Sequence, residues 1–94
     1  MKLWGMGKKM KYSDRIEKKL KEKFFPSYLE IVDESQLHAG HSGARPGGET
    51  HFKVIMVSKS FEGQSRIDRQ RAVYRALKSE LDERVHALSL VLSI

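Results

Sequence analysis

"THFKVIMVS", residues Thr50–Ser58, alternates strictly: Phe52, Val54 and Met56 share one face, while Lys53, Ile55 and Val57 share the other. Period-2 alternation of this length predicts a β-strand whose apolar side faces a core. Upstream, "SYLEIVDES" (Ser27–Ser35) also alternates, with Leu29 and Ile31 on one face and Glu30 on the other, a second strand. No helical pattern separates the two strands, so an antiparallel hairpin is predicted. Between them, His38–Gly48 contains Gly40, Gly43, Gly47 and Gly48 and lacks the apolar residues a core needs. It reads as a long loop.

Helical signals flank the hairpin. Asp14 and Glu17 have capping-box spacing, Ile16, Leu20 and Phe24 recur every four residues, and Pro26 closes the run. An amphipathic helix of about three turns is predicted there. Downstream, "KSFEGQSR" (Lys59–Arg66) is a turn broken by Gly63, with at most one turn of helix. Ser65 and Asp68 then cap a second helix near 66–82 with a stripe of Val73, Ala76, Leu77 and Leu81. "HALSLVLSI" (His86–Ile94) places Leu88, Leu90, Leu92 and Ile94 on one face of a third strand. Strands are thus predicted near 28–33, 51–58 and 86–93. Burying all these stripes together requires helices on one face of a small mixed sheet, an α+β sandwich.

Composition sets the outer limits. Ninety-four residues with 39% hydrophobic and 32% charged content describe one small globular domain. No apolar run approaches the ~20 residues of a membrane span. Cysteine is absent, so this chain supplies no disulfide and no thiolate ligand. The net charge of +6 raises the prospect of anionic partners without choosing among them. Residues 1–12 read as a loosely ordered basic lead-in and 13–94 as the folded domain.

Chemistry-bearing residues are few. Of the four histidines, His38, His41 and His51 lie in or beside the glycine loop, and His86 opens the third strand. Imidazole ligates transition metals, and two histidines can hold one iron of a [2Fe–2S] centre. By spacing alone, solvated loop histidines and a strand-edge His86 are the commoner arrangement, since no HxxxH occurs. His51 flanks the strand carrying Phe52 and suits a structural role. The glycines match neither GxxxxGK[ST] nor GxGxxG, which leaves a flexible loop. Arg66, Arg69, Arg71, Arg75 and Lys78 make the second helix basic. Arg71, Arg75 and Lys78, spaced i, i+4, i+7, predict a shared phosphate-contacting face or a solvated one. There is no nucleophile elbow and no HExxH, and the carboxylates fall on charged faces, so no enzyme is indicated.

Three blocks, "GETHFKVIMVSKSFEG" (48–63), "RAVYRALKSEL" (71–81) and "VHALSLVL" (85–92), resemble the BolA family of small stress and iron-homeostasis proteins. The resemblance runs from about Ser13 to Leu92. It implies a type II KH-like αββααβ sandwich: a three-stranded mixed sheet, with the third strand parallel to one of the first two and helices on one face. It also implies a non-enzymatic, cytoplasmic or organelle-matrix partner of monothiol glutaredoxins. In such a heterodimer a [2Fe–2S] cluster is shared with the glutaredoxin cysteine and glutathione, while the chain alone carries no cofactor and is a monomer or weak homodimer. The family's ligands carry over to His86 of the "VHAL" block and to one loop histidine. Counting from "VDES" favours His38, with His41 as the alternative. BolA-like proteins are also described as DNA-binding regulators of transcription, the second reading, for which Arg66, Arg69, Arg71, Arg75 and Lys78 are the candidates. Only Gly63 stands where a KH domain carries its GXXG clamp, which weakens KH-style RNA binding.

Overall fold

The computed structural model describes residues 11–35 and 48–94. The basic lead-in, apart from its last two residues, and both His38 and His41 lie outside them. The described chain runs α1 (Tyr12–Phe24), β1 (Tyr28–Asp33), β2 (His51–Val57), a 3-10 turn (Lys59–Phe61), α2 (Arg66–Ala76), α3 (Lys78–Glu83) and β3 (Ala87–Ser93). The three strands fall within a residue of their predicted positions.

β2 is the centre of the sheet, antiparallel to β1 and parallel to β3. Its alternation decides which side is inside. Phe52, Val54 and Met56 are buried under the helices beside Leu88 of β3, with Leu29, Ile31, Leu90 and Leu92 packed around them. Ile16, Leu20 and Phe24 of α1, Phe61 of the 3-10 turn, Val73 and Leu77 above the sheet and Val85 complete the core. The opposite sheet face carries the exposed Tyr28, Val32 and Val91. Among the described residues no helix is long and apolar enough to cross a membrane.

The helix ends depart from local expectation. α1 begins at Tyr12, so Asp14 lies in its first turn rather than at its N-cap. The Tyr12 N–H is instead satisfied by the carboxylate of Glu49, brought from the start of β2. An acceptor at a helix N-terminus also meets the positive end of the helix dipole. For α2 the local reading is correct, since Ser65 Oγ accepts the Asp68 N–H at 3.1 Å.

The helix predicted over 66–82 breaks at Leu77, whose φ of −106° and ψ of 20° are not helical. The break re-aims the second half, α3. Leu77, Glu80 and Val85 are all buried in consequence, while Leu81 is only partly so. Lys78 is the first residue of α3. It pairs with Asp82 at 2.9 Å. Glu80, expected on a charged face, has no exposed surface and is held by Arg15 and Lys19 of α1 at 2.9 Å each.

Candidate functional site

The antiparallel–parallel order brings one end of each strand to the same end of the sheet: the last residue of β1 and the first residues of β2 and β3. His51 opens β2 and pairs with Ala87, so His86 stands directly beside it. The two imidazole rings lie 5.2 Å apart, inclined at 49°. His51 is buried and His86 is exposed. The backbone of His86 is nevertheless fixed. Its N–H donates to the Thr50 carbonyl at 2.6 Å, which also accepts from Ala87 at 3.2 Å. The result is a histidine with a stationary base and an accessible ring.

Polar groups lock the base of this site. Ser35 Oγ donates to Asp33 Oδ1 at 2.5 Å and accepts the backbone N–H groups of Thr50 at 2.9 Å and His51 at 3.2 Å. Thr50 Oγ1 lies 2.9 Å from His51 Nδ1. Asp33 Oδ2 accepts the Glu49 N–H at 3.0 Å. Burial alone raises the Asp33 pKa, but hydrogen bonds from Ser35 and Glu49 and the charge of His51 outweigh it and hold the carboxyl below its ordinary value. The clamp thus keeps its acceptor ionised well into mild acid. From the other side, Arg84 donates to the Gly48 carbonyl through Nε at 3.0 Å and Nη2 at 2.6 Å. Ser35 and Gly48 therefore sit on one hydrogen-bonded platform, beside Thr50 and the two histidines.

Gly48 is required by this geometry. Its φ is +72°, and a Cβ there would sit 3.2 Å from Asp33 Oδ2. Gly63 has a φ of +78° but open space around it. Gly63→Ala should therefore cost only the left-handed backbone term, roughly 1–2 kcal/mol. Gly48→Ala adds a push against the carboxylate that holds the clamp, so its melting temperature should fall further. Equal losses in the two variants would show that the Asp33 contact is slack.

Of the residues singled out from sequence, His86 lies at this site, whereas His38 and His41 fall outside the described residues. His51 has the structural surroundings expected of it, with the addition of its ring contact to His86. Sequence reasoning missed the clamp of Asp33, Ser35, Thr50 and Arg84; its only signal was the polar residues at the ends of two strands. Among the described residues no group of three or more His, Asp or Glu side chains could hold a metal ion. The arginines lie elsewhere, along α2. Arg66 and Arg69 border a groove against Leu90–Leu92 of β3, and Arg75 joins Lys19 and Lys23 between α2 and α1.

Comparison with known proteins agrees with this architecture. The chain is 47% identical over 81 residues to Protein BOLA1, chloroplastic, of Arabidopsis thaliana, an alignment covering 84% of this chain and 51% of that protein. It is 44% identical over 81 residues to the DNA-binding transcriptional regulator BolA of Escherichia coli, covering 86% and 73%. The solved BolA domain of SufE1 from Arabidopsis thaliana superposes with a TM-score of 0.81 at 40% identity, covering 92% of this chain and 94% of that one. With the family model for BolA-like proteins matching residues 20–93, the chain belongs to the BolA-like protein family.

Proposed function

We propose that this chain is a non-enzymatic adaptor that pairs with a monothiol glutaredoxin and shares a [2Fe–2S] cluster with it as cargo. The observation that carries the reading is His86: its ring is exposed while its backbone is pinned to Thr50 at the platform that holds Ser35 and Gly48. A ligand with a fixed base loses little freedom on coordination. The donor chemistry also fits a shared cluster better than a resident one. With no cysteine in the chain, it offers imidazole nitrogen, and the thiolates that favour iron–sulfur chemistry must come from the partner. His86 would be one ligand and His38 the other, with His41 as the alternative. His51 packs against His86 and restricts its ring.

The test is to mix the protein with a monothiol glutaredoxin, glutathione, iron and sulfide and to record visible absorbance and circular dichroism. A heterodimer with a spectrum distinct from that of the glutaredoxin alone is expected. A spectrum unchanged by addition of this chain would defeat the proposal.

A second reading, DNA binding, has one specific support: Arg66, Arg69, Arg71 and Arg75 stand on α2, and the Escherichia coli relative is named a DNA-binding regulator. Non-specific phosphate contact predicts duplex affinity of about micromolar or weaker at physiological salt, with each lost contact flattening the log–log salt slope by roughly 0.9. Under the adaptor reading, Arg71→Ala with Arg75→Ala should reduce this weak binding alike on all sequences. A tight, sequence-selective complex that survives added salt, and is lost in the double variant, would put the DNA reading first.

A further inference from the structure

β3 is an edge strand, and among the described residues no strand pairs with its outer edge. Natural edges are blunted by charge, proline, a bulge or a covering element, because a free row of N–H and C=O groups templates another strand. The sequence of β3, Ala87–Ser93, is ALSLVLS, without a charged residue or proline. The direction of its backbone groups follows from two contacts. The Ser93 carbonyl accepts Ser58 N–H at 2.9 Å, on the β2 side. The Leu88 carbonyl accepts the Tyr74 hydroxyl at 3.0 Å, on the α2 side. Backbone groups alternate sides along a strand, so those of Leu90 and Leu92 point outward as Leu88 does, beyond the reach of the Tyr74 contact.

This open stretch forms the floor of a groove. Leu90, Val91 and Leu92 lie along it, and Arg66, Arg69 and Gln70 of α2 form its wall. Those wall positions are spaced i, i+3, i+4 and share one helix face. Arg69 is steadied by its Nε bond to the Gln64 carbonyl at 3.1 Å, and among the described residues no carboxylate lines the groove. The groove thus combines a strand edge that pairs with an extended backbone and a wall that attracts negative charge.

We propose that this groove docks an extended acidic peptide segment of a partner protein, which adds to β3 as a fourth strand with its acidic side chains under Arg66 and Arg69. Main-chain pairing supplies the affinity and the arginines select the charge, the division of labour seen in β-strand addition. A single-stranded nucleic acid would share the attraction to arginine. However, among the described residues no aromatic side chain lines the groove to stack a base, and stacking is what holds such strands. The proposal stands apart from the histidine site and does not depend on cluster binding.

The probe is a capped octapeptide of alternating glutamate and valine, titrated into the full chain labelled with nitrogen-15. The amides of Leu90 and Leu92 should shift, while those of Ser89 and Val91, turned toward β2, move less. A peptide N-methylated at alternate residues keeps its charge but loses its edge donors, and should bind at least about tenfold more weakly. Arg66→Glu should weaken binding by a similar factor, about tenfold, and leave the circular dichroism melt unchanged because Arg66 is exposed. The double variant Arg66→Glu with Arg69→Glu should abolish it. The proposal is overturned by no binding at millimolar peptide, by equal binding of the N-methylated or a lysine–valine peptide, or by shifts confined to other residues. It is equally overturned if oligothymidylate shifts Leu90 and Leu92 at lower concentration than the peptide.

Discussion

Replacing Arg15 and Lys19 together by alanine should lower the melting temperature by roughly 12–24 °C, the counterpart of about 3 kcal/mol in a domain of this size. Glu80 is completely buried, and both cations bind it: Arg15 through Nε at 3.0 Å and Nη2 at 2.9 Å, Lys19 through Nζ at 2.9 Å. Removing both leaves a desolvated carboxylate without a countercharge, the costly way to break a buried pair. The figure is set at the low end of the usual range because both cations are partly exposed, so truncating them opens a path for water to Glu80. Either single variant should lose less than half as much, since one cation remains. Glu80→Gln keeps the shape and leaves behind two cations that can turn to water, so it should cost about 1 kcal/mol. Glu83→Gln touches only the exposed arm of the network, its 2.8 Å bond to Arg15 and the 3.0 Å bond it accepts from the Tyr12 hydroxyl, and should leave the melt nearly unchanged. If Glu80→Gln proved worse than the double variant, the two cations left without their carboxylate, rather than the stranded carboxylate, would be the costly side of the pair.

Glu80 also marks how far the fold could be read from local pattern. It stands seven residues after Val73 and three after Leu77, so it occupies the core stripe of the predicted helix. A carboxylate at such a position signals a buried ion pair, yet its partners lie more than sixty residues away in sequence. The same division runs through the molecule. β2 was legible because alternation is a property of consecutive residues, and α1 because Ile16, Leu20 and Phe24 repeat at the helical period. The break at Leu77 has no glycine or proline to announce it. The N-terminus of α1 was misassigned because the acceptor it uses, Glu49, comes from the far side of the hairpin, while Asp14 and Glu17 merely have the right spacing.

The candidate site divides likewise. His86 was singled out only through the "VHAL" resemblance, because spacing alone offered no reason to prefer it. Its proximity to His51 requires β3 to lie parallel to β2, a topological fact that no short stretch encodes. The clamp of Asp33, Ser35 and Thr50 is built from the polar ends of two strands, and only their pairing brings Asp33 opposite Phe52. Strand identity was local information, whereas strand adjacency was not.

His86→Ala should abolish or grossly destabilise the heterodimeric cluster while leaving the fold unharmed. The two outcomes separate because ring and backbone do different work. The ring is exposed and outside the core, so its loss should change stability by no more than about 0.5 kcal/mol. The N–H that bonds Thr50 belongs to the backbone and survives substitution. An alanine there keeps the platform and removes only the nitrogen donor. His86→Cys restores a ligand of different softness, so cluster formation should return with a shifted visible spectrum, a result no purely structural role of the imidazole would give. His38→Ala should alter the spectrum or hasten cluster loss, since the chain would then supply one ligand fewer. His41→Ala should do less, and a reversal of that order would transfer the second ligand to His41. The decisive variant is the triple replacement of His38, His41 and His86 by alanine, checked by its melt to be folded. If that protein still formed a heterodimeric cluster with unchanged spectrum and lifetime, the partner's thiolates would be sufficient without this chain's imidazoles, and His86 would be only the well-anchored first residue of a strand.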